Sequence, residues 1–351
     1  MMPFEKVKFL CIFLSTIVFH TACQDGKNVP EGDIVVSLDK ASVLENIKEV
    51  YSFTLDENCS SFPGMIHKMH CLNDTIYLLD IQKAPGLYVY DKEGKQLYAY
   101  DCMGEGPKEF KGLIDFQVNE SSVFLFDNVG RKILELDKAG KFLSSESVPE
   151  QAYSFAYEPN GRYYLDLGNS TSFNKSKLIS GKNGNFDYLL TVPDALENIT
   201  ISPTNTLFYN CGSIFYLPAL EDKIHVCQDG KIVNTINLDF GKHWPDESFW
   251  YENKGQHPLM LFMSMEKSSY IRELNFLIDG DVIYLHFMQG DSFFMFFYHL
   301  RSGKQHLYVD KDKSFYAPCT LSGDKLYVMK EDDIVSVYQL DLETMHLTSV
   351  L

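Results

Sequence analysis

Aromatic side chains beside acidic and amide groups are concentrated in one stretch, GKHWPDESFWYENKGQHPLMLFMSMEKSSY (residues 241–270). Both tryptophans of the chain, Trp244 and Trp250, lie in it together with His243 and Tyr251. Aromatic faces rimmed by polar groups suit sugar rings or peptide side chains. The run PLMLFMSMEKS is expected to form a short helix. The alternative is that these aromatics pack the stretch onto the rest of the fold, and the sequence leaves both open.

A second candidate site is CMGEGPKEF (residues 102–110), where two glycines and a proline disfavour both helix and strand. Consecutive turn amides can form a nest that binds an anion. We predict that Glu105, Lys108, Lys111 and Asp115 contribute to ligand binding there. Acidic side chains in the stretch oppose an anion, so a purely structural corner is the alternative.

Residues typical of catalysis or metal binding form no recognisable pattern. The motifs HExxH, GxSxG and GxxxxGK[ST] are absent. His67 and His70 are three residues apart on a predicted strand, so their side chains point to opposite faces and cannot readily share a metal. We therefore predict no catalytic residue, no metal site and no cofactor. A hydrolase or lyase whose carboxylates or histidines converge in a channel remains the alternative.

The amino terminus has the features of an export signal. A basic start precedes an apolar run at residues 9–19, which is shorter than the ~20 residues that cross a bilayer. Thr-Ala followed by Cys23 resembles the lipobox of bacterial lipoproteins, although His20 replaces the usual aliphatic residue. The resemblance implies a signal peptide at residues 1–22, lipidation of Cys23 and a flexible tether at residues 23–32. Contact with a membrane is then expected only through the lipid.

Charge and cysteine content exclude further classes. The formal net charge of −17 repels the phosphates of nucleic acids, so nucleic-acid binding is not expected. Irregular cysteine spacing argues against a zinc site and favours mostly free, buried thiols. This applies to Cys59, Cys71, Cys102, Cys211, Cys227 and Cys319.

Two independent phrases repeat along the chain. The first is a polar turn followed by an apolar strand, with steps of 47, 40, 44, 76 and 43 residues between the anchors Tyr77, Phe124, Tyr164, Phe208, Tyr284 and Tyr327. The second is an acidic-x-Gly-Lys turn, with steps of 46, 44, 46 and 73 residues between Gly94, Gly140, Gly184, Gly230 and Gly303. Both periods are typical of a four-stranded propeller blade.

Six repeats predict an all-β fold, a six-bladed β-propeller of four-stranded antiparallel blades over residues 33–351. Residues 241–270 form an insertion between the fourth and fifth blades in this prediction. Residues 33–57 are expected to add an outer strand to the last blade, which would tie the two ends of the ring together. A β-sandwich or two smaller barrels is the rival architecture.

GEGPKEF at residues 104–110, IDFQVNESSVFLFD at 114–127 and ILELDKAGK at 133–141 resemble a family of six-bladed β-propeller lipoproteins abundant in Bacteroidetes. The family is related in pattern to NHL-repeat propellers. Lys108 stands where it usually has glycine. The resemblance implies the fold and a location in the cell envelope, but no activity.

These observations together predict an exported, lipid-anchored binding or interaction module. We expect it to be an outer-membrane lipoprotein that faces the periplasm or the cell surface. The expected partner is a glycan, a peptide or another envelope protein, bound where the propeller channel opens.

Overall fold

The computed structural model describes residues 32–348, apart from residues 46, 58, 60, 173, 200, 202–204 and 332. The predicted signal peptide, the lipidation of Cys23 and the tether up to residue 31 lie outside the described residues. The described chain forms six β-sheets of four or five strands each, arranged as the blades of a six-bladed propeller. The predicted fold is thereby confirmed.

Three short strands precede the blades: β1 (Ile34–Val35), β2 (Ser42–Val43) and β3 (Tyr51–Thr54). Blade 1 consists of β4 (Lys68–Leu72), β5 (Thr75–Asp80), β6 (Gly86–Asp91) and β7 (Gln96–Tyr100). Blade 2 consists of β8 (Leu113–Val118), β9 (Ser122–Asp127), β10 (Lys132–Asp137) and β11 (Phe142–Ser147). Blade 3 consists of β12 (Ser154–Tyr157), β13 (Tyr163–Asp166), β14 (Leu178–Lys182) and β15 (Asn185–Tyr188).

Blade 4 consists of β16 (Leu207–Asn210), β17 (Ser213–Tyr216), β18 (Lys223–Gln228) and β19 (Lys231–Asp239). Two helices follow it, α1 (Glu247–Glu252) and α2 (Pro258–Lys267). Blade 5 consists of β20 (Arg272–Asp279), β21 (Val282–Gln289), β22 (Ser292–His299) and β23 (Gln305–Asp310). Blade 6 consists of β24 (Cys319–Ser322), β25 (Lys325–Met329), β26 (Ile334–Asp341) and β27 (His346–Leu347). Short 3₁₀ turns lie at Leu38–Lys40, Asp194–Leu196 and Gly241–His243.

The repeated acidic-x-Gly-Lys turn joins the third and fourth strands of a blade. In blade 1, Asp91 Oδ1 accepts the backbone N–H of Lys95 at 2.9 Å, and Gly94 has a φ of +84°. Glycine suits this position because a positive φ is costly for other residues. In blade 6 a turn one residue longer begins at Asp341, and Met345 takes a φ of +60° in place of glycine.

The amino-terminal segment closes the ring more extensively than expected. β3 pairs antiparallel with β26, which confirms the predicted outer strand on blade 6. β1 pairs instead with β19 of blade 4, and β2 pairs with β23 of blade 5, both in parallel. The prediction that the DIVVSL run lies on the last blade is therefore wrong. The segment is a belt across the outer edges of three blades, and we call residues 32–56 the belt.

One aromatic anchor of the first repeated phrase lies on the first strand of its blade, whereas the other five anchors lie on the second strand. Phe208 is on β16, the first strand of blade 4, and it pairs with Phe215 on the second strand. With Phe215 as the anchor, the steps on either side become 51 and 69 residues. The glycine anchors all occupy equivalent turns, so the long crossover between blades 4 and 5 is still where the extra residues lie.

Apolar side chains fill the seam between each pair of neighbouring blades. Six clusters of buried residues correspond to the six seams, and a seventh lies inside the insertion. Each blade is covered on both faces, so its middle strands are almost continuously apolar, as in SFFMFFYH of β22. Stacking in a ring therefore supplies the core that a single sheet lacks.

Five of the six cysteines beyond Cys23 are free: Cys59, Cys71, Cys102, Cys227 and Cys319. The prediction of mostly free thiols is confirmed for these five. Burial raises the pKa of Cys227 and of Cys319 to about 12, so both remain protonated thiols at neutral pH. They pack as small apolar side chains.

Two histidines whose rings lie against each other are found where β2, blade 5 and blade 6 meet. The ring centroids of His306 and His346 are 3.7 Å apart, and Ser42 Oγ lies 2.7 Å from His306 Nε2. Burial, and then the charge that His346 can carry, lower the pKa of His306 to about 4 from 6.5. The folded protein thus resists protonation at this seam.

We expect His306→Leu to flatten the loss of stability on acidification. A histidine with a lowered pKa binds fewer protons when folded, so its contribution is present above pH 6.5 and is lost as the pH falls toward 4. Urea unfolding at a series of pH values measures this slope, with His299→Leu as the control. Burial also lowers the pKa of His70 to about 3 and that of His286 to about 4. These two histidines should therefore maintain part of the dependence of stability on pH in the His306→Leu variant. An unchanged slope in His306→Leu would contradict the assignment.

Candidate functional site

The GEGPKEF stretch is the corner between β7 and β8. The Glu109 carboxylate lies where an anion would bind to the backbone amides of this turn. Glu109 Oε2 accepts the backbone N–H of Gly106 at 2.8 Å. A Cβ atom on Gly104 would lie 2.0 Å from the same oxygen, so glycine makes room for this contact. Phe110 is fully buried beneath the turn. The amides that could bind an anion are thus partly occupied by the chain itself.

Three predicted site residues lie together on this corner. Lys111 Nζ pairs with Glu105 Oε1 at 2.8 Å, and the two side chains are 41% and 85% exposed. Lys108 is exposed, and its backbone carbonyl accepts a hydrogen bond from the Tyr100 hydroxyl. An exposed ion pair of this kind contributes little to stability. Ligand contact at these residues stays a prediction.

Asp115 is not part of that surface. It is 2% exposed on β8, the first strand of blade 2. Its carboxylate accepts hydrogen bonds from Lys68 Nζ at 2.6 Å, Ser154 Oγ at 2.6 Å and the Phe155 N–H at 3.0 Å. The Lys68 ammonium also lies 5.7 Å from the centroid of the Phe208 ring. The first strands of blades 1 to 4 therefore meet around one buried ion pair.

The central channel is too narrow for a sizeable ligand. Its cavity is about 60 Å³ and is lined by the first strands of all six blades, including Lys68, Phe116, Phe208 and Thr320. Small-molecule sites usually measure about 300–1,000 Å³. A cavity of this size holds a few waters at most. A sizeable ligand would therefore not fit inside this cavity.

The insertion forms a small helical unit that packs against the 3₁₀ turn Asp194–Leu196 and the strand β20. Asp246 Oδ1 accepts the Phe249 N–H at 2.9 Å and caps α1, and Pro258 begins α2. The predicted short helix at PLMLFMSMEKS is confirmed. Phe249, Leu261 and other apolar side chains of the two helices form the insertion's own core with the 3₁₀ turn Asp194–Leu196.

The aromatic residues of the insertion have different environments. Trp250 is 8% exposed and packs in the insertion core, as the packing alternative expects. Tyr251 is 51% exposed on α1. His243 Nδ1 lies 3.3 Å from Gln289 Nε2. Trp244 is half-buried, with its ring centroid 5.5 Å from that of Phe240, and it borders a pocket.

This pocket measures about 350 Å³ and lies beneath α2. Its walls come from α2, the loop after β17, the start of β20 and the crossover from blade 5 to blade 6. The apolar lining consists of Ile201, Ala219, Leu220, Trp244, Phe262, Met265, Ile271 and Leu274. The polar lining consists of Arg272, Glu273, Asn275 and Tyr316. We call this space the insertion pocket.

A β-bulge presents the carboxylate of the insertion pocket. The pairing of β20 with β21 shifts register between Arg272 and Asn275, and Glu273 within this bulge has a φ of +56°. Such a conformation costs roughly 1–3 kcal/mol outside glycine and is concentrated at binding sites. Glu273 Oε1 accepts from Arg272 Nη1 at 3.2 Å, and Oε2 accepts from the Tyr316 hydroxyl at 2.8 Å. Burial and then Glu273 raise the pKa of Tyr316, which keeps this phenol a donor.

Arg272 lies between two acidic side chains. Its Nη2 donates to the Gly290 carbonyl at 3.0 Å and lies 3.4 Å from Glu266 Oε1 on α2. Glu273 is the second carboxylate, so the formal charge of the group is −1. This end of the pocket is therefore acidic.

The sequence did not indicate Arg272, Glu273 or Tyr316. Glu273 and Tyr316 are 43 residues apart, and only the ring of blades brings them together. Among the described residues, no group of three or more His, Cys, Asp or Glu side chains is placed to hold a metal ion. Neither α-helix in that part of the chain is long and apolar enough to cross a membrane.

Comparison with known proteins gives a family without an assigned activity. The model of a domain of unknown function, DUF4934, matches residues 33–344. A structure from Bacteroides fragilis, described as an exported protein, is similar with a TM-score of 0.71, 13% identity and coverage of 88% of this chain and 99% of that one. A DUF4221 member from Bacteroides vulgatus has a TM-score of 0.58, 11% identity and coverage of 87% and 98%. No curated protein matches the sequence. At these identities the similarity concerns the fold alone.

Proposed function

The chain belongs to the DUF4934 family, and from that premise we propose that it is an exported protein of the cell envelope that binds a peptide segment in the insertion pocket. The export signal predicted at residues 1–22 supports the location, as does the fold shared with a protein described as exported. Lipidation at Cys23 and attachment to the outer membrane are part of the proposal.

The proposed binding role is based on the insertion pocket. Its volume of about 350 Å³ lies within the range of small-ligand sites, and two thirds of its lining residues are apolar. A sugar ring needs several free hydrogen-bonding partners, whereas the polar groups of this pocket are largely bonded to one another. An apolar peptide side chain therefore suits the lining better than a glycan does.

The outer side of α2 favours a peptide that belongs to a protein partner. Leu259, Met260 and Met263 are 62%, 53% and 42% exposed. A protein whose segment enters the pocket would cover these side chains, which removes apolar surface from water. Methionine also adapts its shape readily to a partner.

The lining gives no comparable support to a hydrolase. Glu273 is the one carboxylate among the described lining residues, and it is bonded to Arg272 and Tyr316. Hydrolysis of a glycosidic bond in most enzymes needs two carboxyl groups across the scissile bond. The Asp115 carboxylate is buried between blades and does not supply the second.

Tryptophan fluorescence provides the test, because the chain has two tryptophans and Trp244 alone lines the pocket. In a Trp250→Phe background, we expect tripeptides with one phenylalanine in first, second or third position to change the Trp244 emission. Triglycine and chitobiose are expected to leave it unchanged.

Two variants of this background control for the site. Ala219→Phe should abolish the change by filling the pocket from the loop after β17. Tyr251→Ala, on an exposed side chain outside the lining, should preserve it. No response to any phenylalanine peptide, or a full response in Ala219→Phe, would refute binding in this pocket.

A further inference from the structure

Most of the hydrogen-bond donors described in the insertion pocket are bonded to the protein. Arg272 donates through Nη1 to Glu273 and through Nη2 to the Gly290 carbonyl, while its Nε is buried and has no partner among the described residues. The Tyr316 hydroxyl donates its one proton to Glu273. Asn275 Nδ2 donates to the Glu273 carbonyl at 2.8 Å. An anionic group of a ligand would therefore find few free donors.

The Glu273 carboxylate, in contrast, can accept further hydrogen bonds. A carboxylate offers about four lone-pair sites, and the described contacts of Glu273 occupy one on each oxygen. The side chain is 32% exposed, so the remaining sites can be reached from the pocket. With Glu266 beside Arg272, the acidic pair outweighs the single guanidinium. The formal charge of −17 on the whole chain adds a field that attracts cations.

Apolar surface lies next to this carboxylate. Ile271 and Leu274 flank the bulge in sequence, and Trp244 and Phe262 form further wall of the same pocket. A ligand that uses both features must carry a positive donor within one or two bonds of an apolar group. The first residue of a peptide has this arrangement, because its α-ammonium and its side chain share one carbon.

Building on the proposed function, we propose that the insertion pocket recognises the free amino terminus of a peptide whose first residue is apolar or aromatic. Glu273 accepts the α-ammonium, and the side chain enters the apolar part of the pocket. Recognition of this kind distinguishes a processed chain end from an internal segment.

The test compares Phe-Gly-Gly with its N-acetylated form, read by Trp244 emission in the Trp250→Phe background. We expect acetylation to weaken binding at least about tenfold, because it removes a charge-assisted hydrogen bond. Glu273→Gln keeps the shape of the side chain and is expected to make the two peptides bind alike. Glu252→Gln, which removes an exposed carboxylate of α1 outside the lining, should retain the preference.

The outcomes separate this inference from the proposed function. Equal binding of free and acetylated Phe-Gly-Gly to the Trp250→Phe protein would overturn recognition of the amine while leaving the binding role intact. Tighter binding of an acetylated peptide with an internal lysine would also overturn it, in favour of a side-chain amine. Failure of every phenylalanine peptide would remove the proposed function itself. A thermal melt of Glu273→Gln that matches its parent shows that the bulge is retained.

Discussion

Asp115→Ala is expected to lower the free energy of unfolding by about 3–5 kcal/mol, because it leaves the buried Lys68 ammonium without its counter-charge. The two side chains are 3% and 10% exposed, and the carboxylate also holds Ser154 and the Phe155 N–H. Urea unfolding followed by circular dichroism measures the effect.

The double variant Lys68→Met, Asp115→Leu is the matched control. Replacing both members of a buried ion pair by apolar side chains is often neutral or stabilising. We therefore expect it to be more stable than Asp115→Ala. If the single and double variants lost the same stability, an unpaired charge could not be the cause.

Removal of the belt is the second change expected to have a large effect. A protein that begins at residue 57 loses β1, β2 and β3 together with Ile34, Val36, Phe53 and Leu55, which are at most 9% exposed. Burial of each such side chain contributes about 1.5–3 kcal/mol, and a whole domain is stable by only about 5–15 kcal/mol. We expect this protein to lack a cooperative thermal transition.

A protein that begins at residue 32 keeps the belt and serves as the control. Phe53→Ala within it should cost about 3–5 kcal/mol. Circular dichroism melts and size-exclusion chromatography compare the three. A protein starting at residue 57 that melts at the temperature of the control would show that the belt is dispensable.

The architecture could be predicted because its turns have a chemical signature. The third turn of a blade uses a residue at positive φ, and in blades 1, 2 and 6 an acidic side chain accepts its backbone N–H groups, so Gly recurs at a fixed step, often after Asp, as at Asp91 and Gly94. In blade 4 the aromatic anchor was assigned to the wrong strand, because no such signature separates the first strand from the second. LFYN of β16 and SIFY of β17 are similar in character, and no polar position distinguishes the first strand from the second.

The candidate site was predictable only in its location. Two tryptophans in a long crossover indicated the insertion, and Trp244 does border the pocket. Nothing in the residue types marks the bulge at Glu273, because the register of β20 against β21 imposes its positive φ. Asp115 looked like an entry residue of the crossover, but its partner Lys68 lies 47 residues away on the preceding blade.

The belt also determines the order in which the protein can be completed. Ser42 on β2 contacts His306, 264 residues later, and β3 pairs with β26 of the final blade. Contacts at such separations form slowly, since a long loop must close before they contribute. A chain delivered amino terminus first holds its belt strands before their partner blades exist. The belt strands keep unpaired edges until blades 4, 5 and 6 have formed, so the interval between synthesis and ring closure is when this protein is most exposed to aggregation.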